Sequence, residues 1–201
     1  MKRSCLFLIL ILILVSCNKN EENSYTTKLF INSTIKSLVF KPGSYWIYIS
    51  DSAQQTDCTY VQQMNYGSYD IGYGLDRYVS FEYYSLVYVS SSPDGQSSYI
   101  NHIETNHMLL NPIIGYPWAS GPVLFTYDTT FDWKNFPSTN KYIDSLKVEN
   151  NTFYRVQESK FTLNSHSNAF YTDANIGLVR KDITVDSAVQ QWNLIKWHIV
   201  K

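Results

Sequence analysis

The sequence predicts an all-β protein: a single antiparallel domain, built as a β-sandwich or as a strongly curved, partly closed sheet of about ten strands. Three observations carry this. Short runs of β-branched and aromatic residues recur along the chain, cut by Gly, Pro, Asn and Asp. No amphipathic helical pattern of about ten residues or more is present. The chain holds 17 tyrosines, a residue that strands favour and whose hydroxyl suits a sheet with one face packed and the other wet.

Chain order gives the elements. Strand patterning starts near Leu29. Lys41-Pro42-Gly43 signals a turn before the strand Ser44 to Ser50. Thr56 to Tyr66 reads as a polar-faced strand, and Gly67 to Gly74 as a glycine-rich loop. In Arg77 to Ser90, Val79, Phe81 and Tyr83 alternate with Ser80 and Glu82, the clearest strand in the chain. Ser92-Pro93-Asp94-Gly95 is turn chemistry, after which Ser97 to Glu104 returns as the second arm of a hairpin. Asn111 to Pro122 carries three prolines and reads as an aromatic loop. Val123 to Thr130 is a strand, and Phe131 to Asn140 a second aromatic loop. Tyr142 to Val148 and Thr152 to Phe161 flank a tight turn at Glu149-Asn150-Asn151. Ala169 to Asp173, Leu178 to Val185 and Gln190 to Val200 complete the strands. The turn before Leu178 places Gly177 where a positive φ is expected.

The N-terminus predicts an address. Lys2 and Arg3 precede an eleven-residue apolar run from Cys5 to Val15. That is short for a membrane-spanning helix, which needs about 20 residues, and suits a signal peptide. The run ends in Leu14-Val15-Ser16-Cys17, which resembles the bacterial lipobox. The resemblance implies cleavage before Cys17 and lipidation of its sulfur. Residues 1–16 are then the signal, 17–27 a polar tether and 28–201 the β-domain. Acyl chains contribute roughly 0.8 kcal/mol per buried CH₂, so palmitate-length chains anchor the protein to a membrane without crossing it. Cys17 to Glu22 resembles the acidic signals that send such lipoproteins to the cell surface. The expected address is the bacterial envelope, on the outer membrane, facing either the periplasm or the outside.

Further segments resemble envelope lipoproteins of the Bacteroidota. They are Tyr171 to Arg180, with its Ile176-Gly177-Leu178-Val179 stretch, and Pro42-Gly-Ser-Tyr-Trp46-Ile-Tyr48. Val148 to Val156 and Trp192-Asn-Leu194 add to them. The resemblance implies a curved antiparallel sheet and brings no catalytic residues.

Charge excludes one class of partner. The formal net charge is −1 and no basic stripe exists, so nucleic acid is not expected. Cys58 is the one thiol left once Cys5 is cleaved off and Cys17 is lipidated, so no intrachain disulfide forms. No nucleophile elbow, zinc-binding His-Glu-x-x-His, phosphate loop or dinucleotide fingerprint is present. No catalytic residue and no cofactor is therefore expected. His102 and His107, five apart, fall on opposite faces if one strand carries both, so no metal site is expected either. Asp70 and Asp76 flank the glycine-rich loop without calcium-loop spacing.

What remains is binding. Tyr69, Tyr73, Tyr116, Trp118, Trp133 and Phe136 sit in loop-like stretches and form the candidate surface, for a glycan or an apolar small molecule. Asp51-Ser52, Asp128-Thr129, Asp144-Ser145 and Asp186-Ser187, each followed by a small, aliphatic or hydroxyl residue, resemble the O-glycosylation sequon of Bacteroidota envelope proteins. Ser52, Thr129, Ser145 and Ser187 are the acceptors this implies. Two other functions stay open: an assembly partner in an envelope complex, and a hydrolase with a dispersed site.

Overall fold

The structure is a computed structural model of the chain. It describes residues 25–52, 54–72, 77–91, 99–104, 107–112, 123–126, 138–163, 166–185 and 188–201. The strands are β1 (Tyr25–Leu29), β2 (Tyr45–Ser50), β3 (Thr56–Gly72), β4 (Arg77–Ser90), β5 (Tyr99–Glu104) and β6 (His107–Pro112). They continue with β7 (Val123–Thr126), β8 (Ser138–Val148), β9 (Asn151–Leu163), β10 (His166–Asp173), β11 (Gly177–Val185) and β12 (Ala188–His198). One helical turn, α1 (Ser33–Lys36), joins them. The protein is all-β. The strands form one sheet in the order β7-β6-β5-β4-β3-β2-β12-β11-β10-β9-β8, with β1 paired to β4.

Chain contacts divide the molecule into two units. The first comprises the chain up to Lys28 together with Asp70–Ser80. In it, a Cβ on Gly72 would stand 3.5 Å from the Tyr78 ring. The second comprises Leu29–Tyr69 and Phe81–Lys201. Its hairpins pair antiparallel: β2 with β3, β4 with β5, β5 with β6, and β8 through β12 each with the next. The register between β12 and β2 shifts at Leu194/Lys196. Within this unit β7, at one end of the strand order, packs against β9 and β10 near the other end. Within this unit the strands therefore curve on themselves as one continuous sheet and do not divide into two.

Alternation explains which face is packed. In β2, Trp46, Tyr48 and Ser50 are buried while Tyr45, Ile47 and Ile49 are half-buried. Across the sheet the same face carries Leu86, Ile103, Val179, Trp192 and Leu194. The Trp46 indole N–H donates to the Ile176 carbonyl at 2.6 Å, and the Tyr48 hydroxyl to the Leu178 carbonyl at 2.9 Å. The bonds tie β2 to the turn before β11 and to the start of β11 itself, 130 residues away in each case. Gly177 in that turn has φ +90°, as the sequence predicts, and a Cβ there would stand 3.0 Å from the Phe40 ring. Glycine is needed twice over: for the left-handed backbone and for the approach of Phe40.

Two local readings are corrected. The expected tether 17–27 overlaps β1, whose strand begins at Tyr25; Tyr25, Thr26 and Thr27 are good strand formers. The expected loop from Gly67 is strand as far as Gly72. There Tyr83 lies over Gly67, so close that a Cβ would come within 2.7 Å of the ring, and Tyr69 stacks on Phe81 at 5.3 Å. The glycine here makes room for a cross-strand tyrosine and does not mark a loop. The helical turn α1 has four residues, too few to leave a periodic signal. Asn32 caps it, its side chain accepting from the Thr34 N–H at 2.8 Å. The turn exists because Ile31, Ile35, Leu38 and Phe40 are all buried against the core.

Candidate functional site

A cavity of about 800 Å³ lies in the second unit between α1, the β8–β9 hairpin and the turn after β10. That volume is of ligand size. The helical wall brings Ser33, Thr34 and Ser37. The hairpin wall brings Tyr142, Ile143, Asp144, Tyr154 and Arg155. The turn brings Asp173, Ala174 and Asn175. Hydroxyls, carboxylates, one guanidinium and two tyrosine rings thus converge, with Ile143 and Ala174 as the aliphatic members.

Local structure fixes two of the three walls. The Ser37 hydroxyl donates to the Ala174 carbonyl at 2.5 Å and so clamps α1 to the turn. Asp173 Oδ1 accepts from the backbone N–H of Asn175 at 2.8 Å and of Ile176 at 3.1 Å, closing that turn on itself. The hairpin wall stands out instead by strain. Arg155 has φ +56° inside β9. A left-handed backbone costs a non-glycine residue about 1–3 kcal/mol and gathers at ligand sites. It also breaks the strand's alternation. Tyr154 and Arg155 are both exposed, while Phe153 and Val156 on either side are buried. The result is a tyrosine 67% exposed beside an exposed guanidinium, both on the cavity wall.

A second polar group is buried under the core face. Lys181 Nζ lies 2.5 Å from Asp57 Oδ2, with Asp57 fully buried. The Ser90 hydroxyl donates to Asp57 Oδ1, and Thr59 Oγ1 to Oδ2 at 3.3 Å. The ammonium sits 4.6 Å from the Tyr48 ring centroid and 5.4 Å from that of Trp192. Burial pushes the Lys181 amine down from its ordinary pKa, while the Asp57 charge opposes that shift. A carboxylate with no exposed surface offers nothing to a substrate, so this pair organises the core.

The opposite face of β11 carries a more open network. Arg180 donates to both oxygens of Asp182 at 2.8 Å. The Tyr171 hydroxyl bridges Glu158 Oε1 at 3.0 Å and Asp182 Oδ2 at 3.2 Å. Lys141 and Lys160 reach Glu158 at 2.8 and 3.3 Å. Burial would raise the Glu158 pKa, but hydrogen bonds from Lys141, Tyr171 and Lys160 hold it below its ordinary value. Burial, with Asp182 and Glu158 beside it, pushes the Tyr171 phenol well up.

The structure separates the residues singled out in the sequence. Tyr69 is half-buried in β3, packed on Phe81 and 6.1 Å from the Tyr83 ring, far in sequence from the cavity walls. Tyr73, Tyr116, Trp118, Trp133 and Phe136 lie outside the described residues, as do Cys17, Thr129 and Ser187. Ser52 is exposed in the turn after β2. Ser145 is exposed too, but in mid-strand on β8. Tyr142, Tyr154 and Arg155 were missed because a hairpin strand with exposed tyrosines reads as ordinary strand composition. His102 and His107 belong to two strands, and their separation along one strand does not apply. Among residues with described side chains, no group of three or more His, Cys, Asp or Glu is arranged to hold a metal ion. No described helix is long and apolar enough to cross a membrane.

The chain matches no protein-family model, and neither characterised proteins nor solved structures yield a match to it.

Proposed function

We propose that this chain is a lipid-anchored envelope protein of a bacterium that binds a glycan in the cavity between α1, the β8–β9 hairpin and the turn after β10, without transforming it. The observation that carries the reading is the hairpin wall. Two exposed tyrosines and a strained arginine line a ligand-sized cavity. Sugars present hydroxyls to polar groups and apolar C–H faces to aromatic rings. Serine, threonine and carboxylate side chains from the other two walls supply hydrogen-bond partners. Of the two ligand classes the sequence leaves open, this lining suits the glycan and not a wholly apolar molecule. The anchor rests on Lys2, Arg3, the apolar run and Cys17. Exposed Ser52 and Ser145 are the acceptors available for glycosylation among the described residues.

A glycan array probed with the chain lacking residues 1–16, followed by titration calorimetry on the best binder, tests the reading. Tyr142→Ala and Tyr154→Ala should each weaken binding by about tenfold, which is about 1.4 kcal/mol. No binding on the array, or equal affinity in both variants, would remove the glycan reading. For the anchor, Cys17→Ser should release the protein from host membranes or leave it unprocessed; unchanged processing and membrane partition would remove that part alone.

A further inference from the structure

We propose that the glycan taken by the cavity is acidic and that Arg155 selects it, its guanidinium clamping the carboxylate or sulfate of one sugar. Selection of this kind presupposes the glycan reading above. A pair that does not form points to the role. In the β8–β9 ladder Ile143 pairs with Val156 and Ser145 with Tyr154, which sets Asp144 and Arg155 opposite each other. Opposite charges facing each other across two antiparallel strands ordinarily pair and contribute about 0.2–1 kcal/mol. Here no ion pair joins them, and among the described residues the Arg155 side chain has no hydrogen-bonding or ionic partner. The left-handed backbone at Arg155, φ +56°, takes the residue out of regular strand geometry, and the ladder skips it.

An uncommitted guanidinium on a cavity wall has one chemistry to offer. It is planar and presents parallel N–H donors that match two oxygens of a carboxylate or sulfate, where a neutral sugar hydroxyl would use one of them. The other walls leave its charge standing. The α1 wall is neutral, with Ser33, Thr34 and Ser37. Asp173 is already engaged: its Oδ1 accepts from the Asn175 and Ile176 N–H groups, and its charge acts on the nearby Lys201 ammonium. Asp144 is exposed and unpaired, and can accept from sugar hydroxyls. Tyr154, next to Arg155 in β9, offers a ring to the sugar's C–H face. Holding Arg155 in this conformation costs about 1–3 kcal/mol, which glycine at the same position would not incur. What the residue contributes is therefore its side chain, and that side chain faces the cavity without a partner.

The test uses the full chain in detergent, on an array that matches each uronate-containing or sulfated oligosaccharide with its neutral counterpart. The acidic member of a pair should bind about tenfold tighter or more. Uronates alone, sulfated glycans alone, or both as binders each support the role and tell which anionic group is read. Affinity for the best acidic binder should fall about tenfold in Arg155→Gly, which suits the left-handed backbone. It should fall about threefold in Arg155→Lys, which keeps the charge and loses the fork. Neutral glycans that bind as well as their acidic counterparts, or an acidic binder indifferent to both variants, overturn the role of Arg155 and leave the glycan reading standing. No binding to any glycan removes both. Should Arg155→Gly misfold, Arg155→Lys and the acidic-over-neutral preference of the unaltered chain decide on the same terms.

Discussion

Arg180 and Lys181 are neighbours in β11, and each binds a carboxylate, yet they live in different media. Lys181 points into the packed face and meets one fully buried aspartate between two aromatic rings. Arg180 lies on the other face, 23% exposed, in a chain of ionic partners that runs through Asp182, Tyr171 and Glu158 to Lys141 and Lys160. Water is nearly excluded from the first site, so each charge depends chiefly on its partner. In the second, solvent and redundant partners soften any single loss. One strand thus carries a pair that fixes how β3 and β11 meet across the curve, and a network that can be edited cheaply. Neither belongs to the cavity, whose wall is strained where the core is relaxed.

The largest effect should come from breaking the buried pair on one side. Asp57→Ala or Lys181→Ala leaves an uncompensated charge in the core and should cost about 3–5 kcal/mol in urea unfolding. Replacing both with apolar residues of similar volume should recover most of that. A double variant as unstable as the singles would show that the pair also fills space nothing else fills.

Arg180→Ala should cost less, about 1–2 kcal/mol, since two charge-assisted bonds are lost at a partly wet site. A loss equal to that of Lys181→Ala would erase the distinction between the two faces.

Glu158 sharpens the comparison through pH. Its folded pKa is depressed, so its contribution is present above the unfolded value of about 4.3 and is lost as pH falls through the folded value. The stability difference between the unaltered protein and Glu158→Gln, measured by thermal unfolding, should shrink steadily below pH 4. A difference that stays constant to pH 3 would mean the lysines and Tyr171 do not hold the carboxylate ionised.

The smallest stability change belongs to the cavity wall. Arg155→Gly relieves a left-handed backbone and should leave stability unchanged or raise it by up to about 1 kcal/mol, while weakening glycan binding. A clear destabilisation would make Arg155 a structural residue.

Much of the fold was legible because alternation and turn chemistry act locally. The β8–β9 turn at Glu149-Asn150 and the positive φ of Gly177 follow directly from neighbouring residues. What stayed hidden depends on distant partners. Gly67 reads as a loop until Tyr83 is known to lie on it. The turn α1 exists only because Ile35 and Leu38 find a core to enter. His102 and His107 share a face only once β5 and β6 are paired. The cavity was the least legible feature, since its three walls are drawn from positions 33–37, 142–155 and 173–175 and no motif spans them.

The most direct test is backbone-amide NMR mapping of the chain lacking residues 1–16, titrated with the oligosaccharide that binds best on the array. The account predicts shifts at Ser33 to Ser37, Tyr142 to Asp144, Tyr154, Arg155 and Asp173 to Asn175, with Trp46, Lys181 and Trp192 unmoved. Shifts centred on the core strands, or on Tyr69 and Phe81 with the cavity silent, would contradict it.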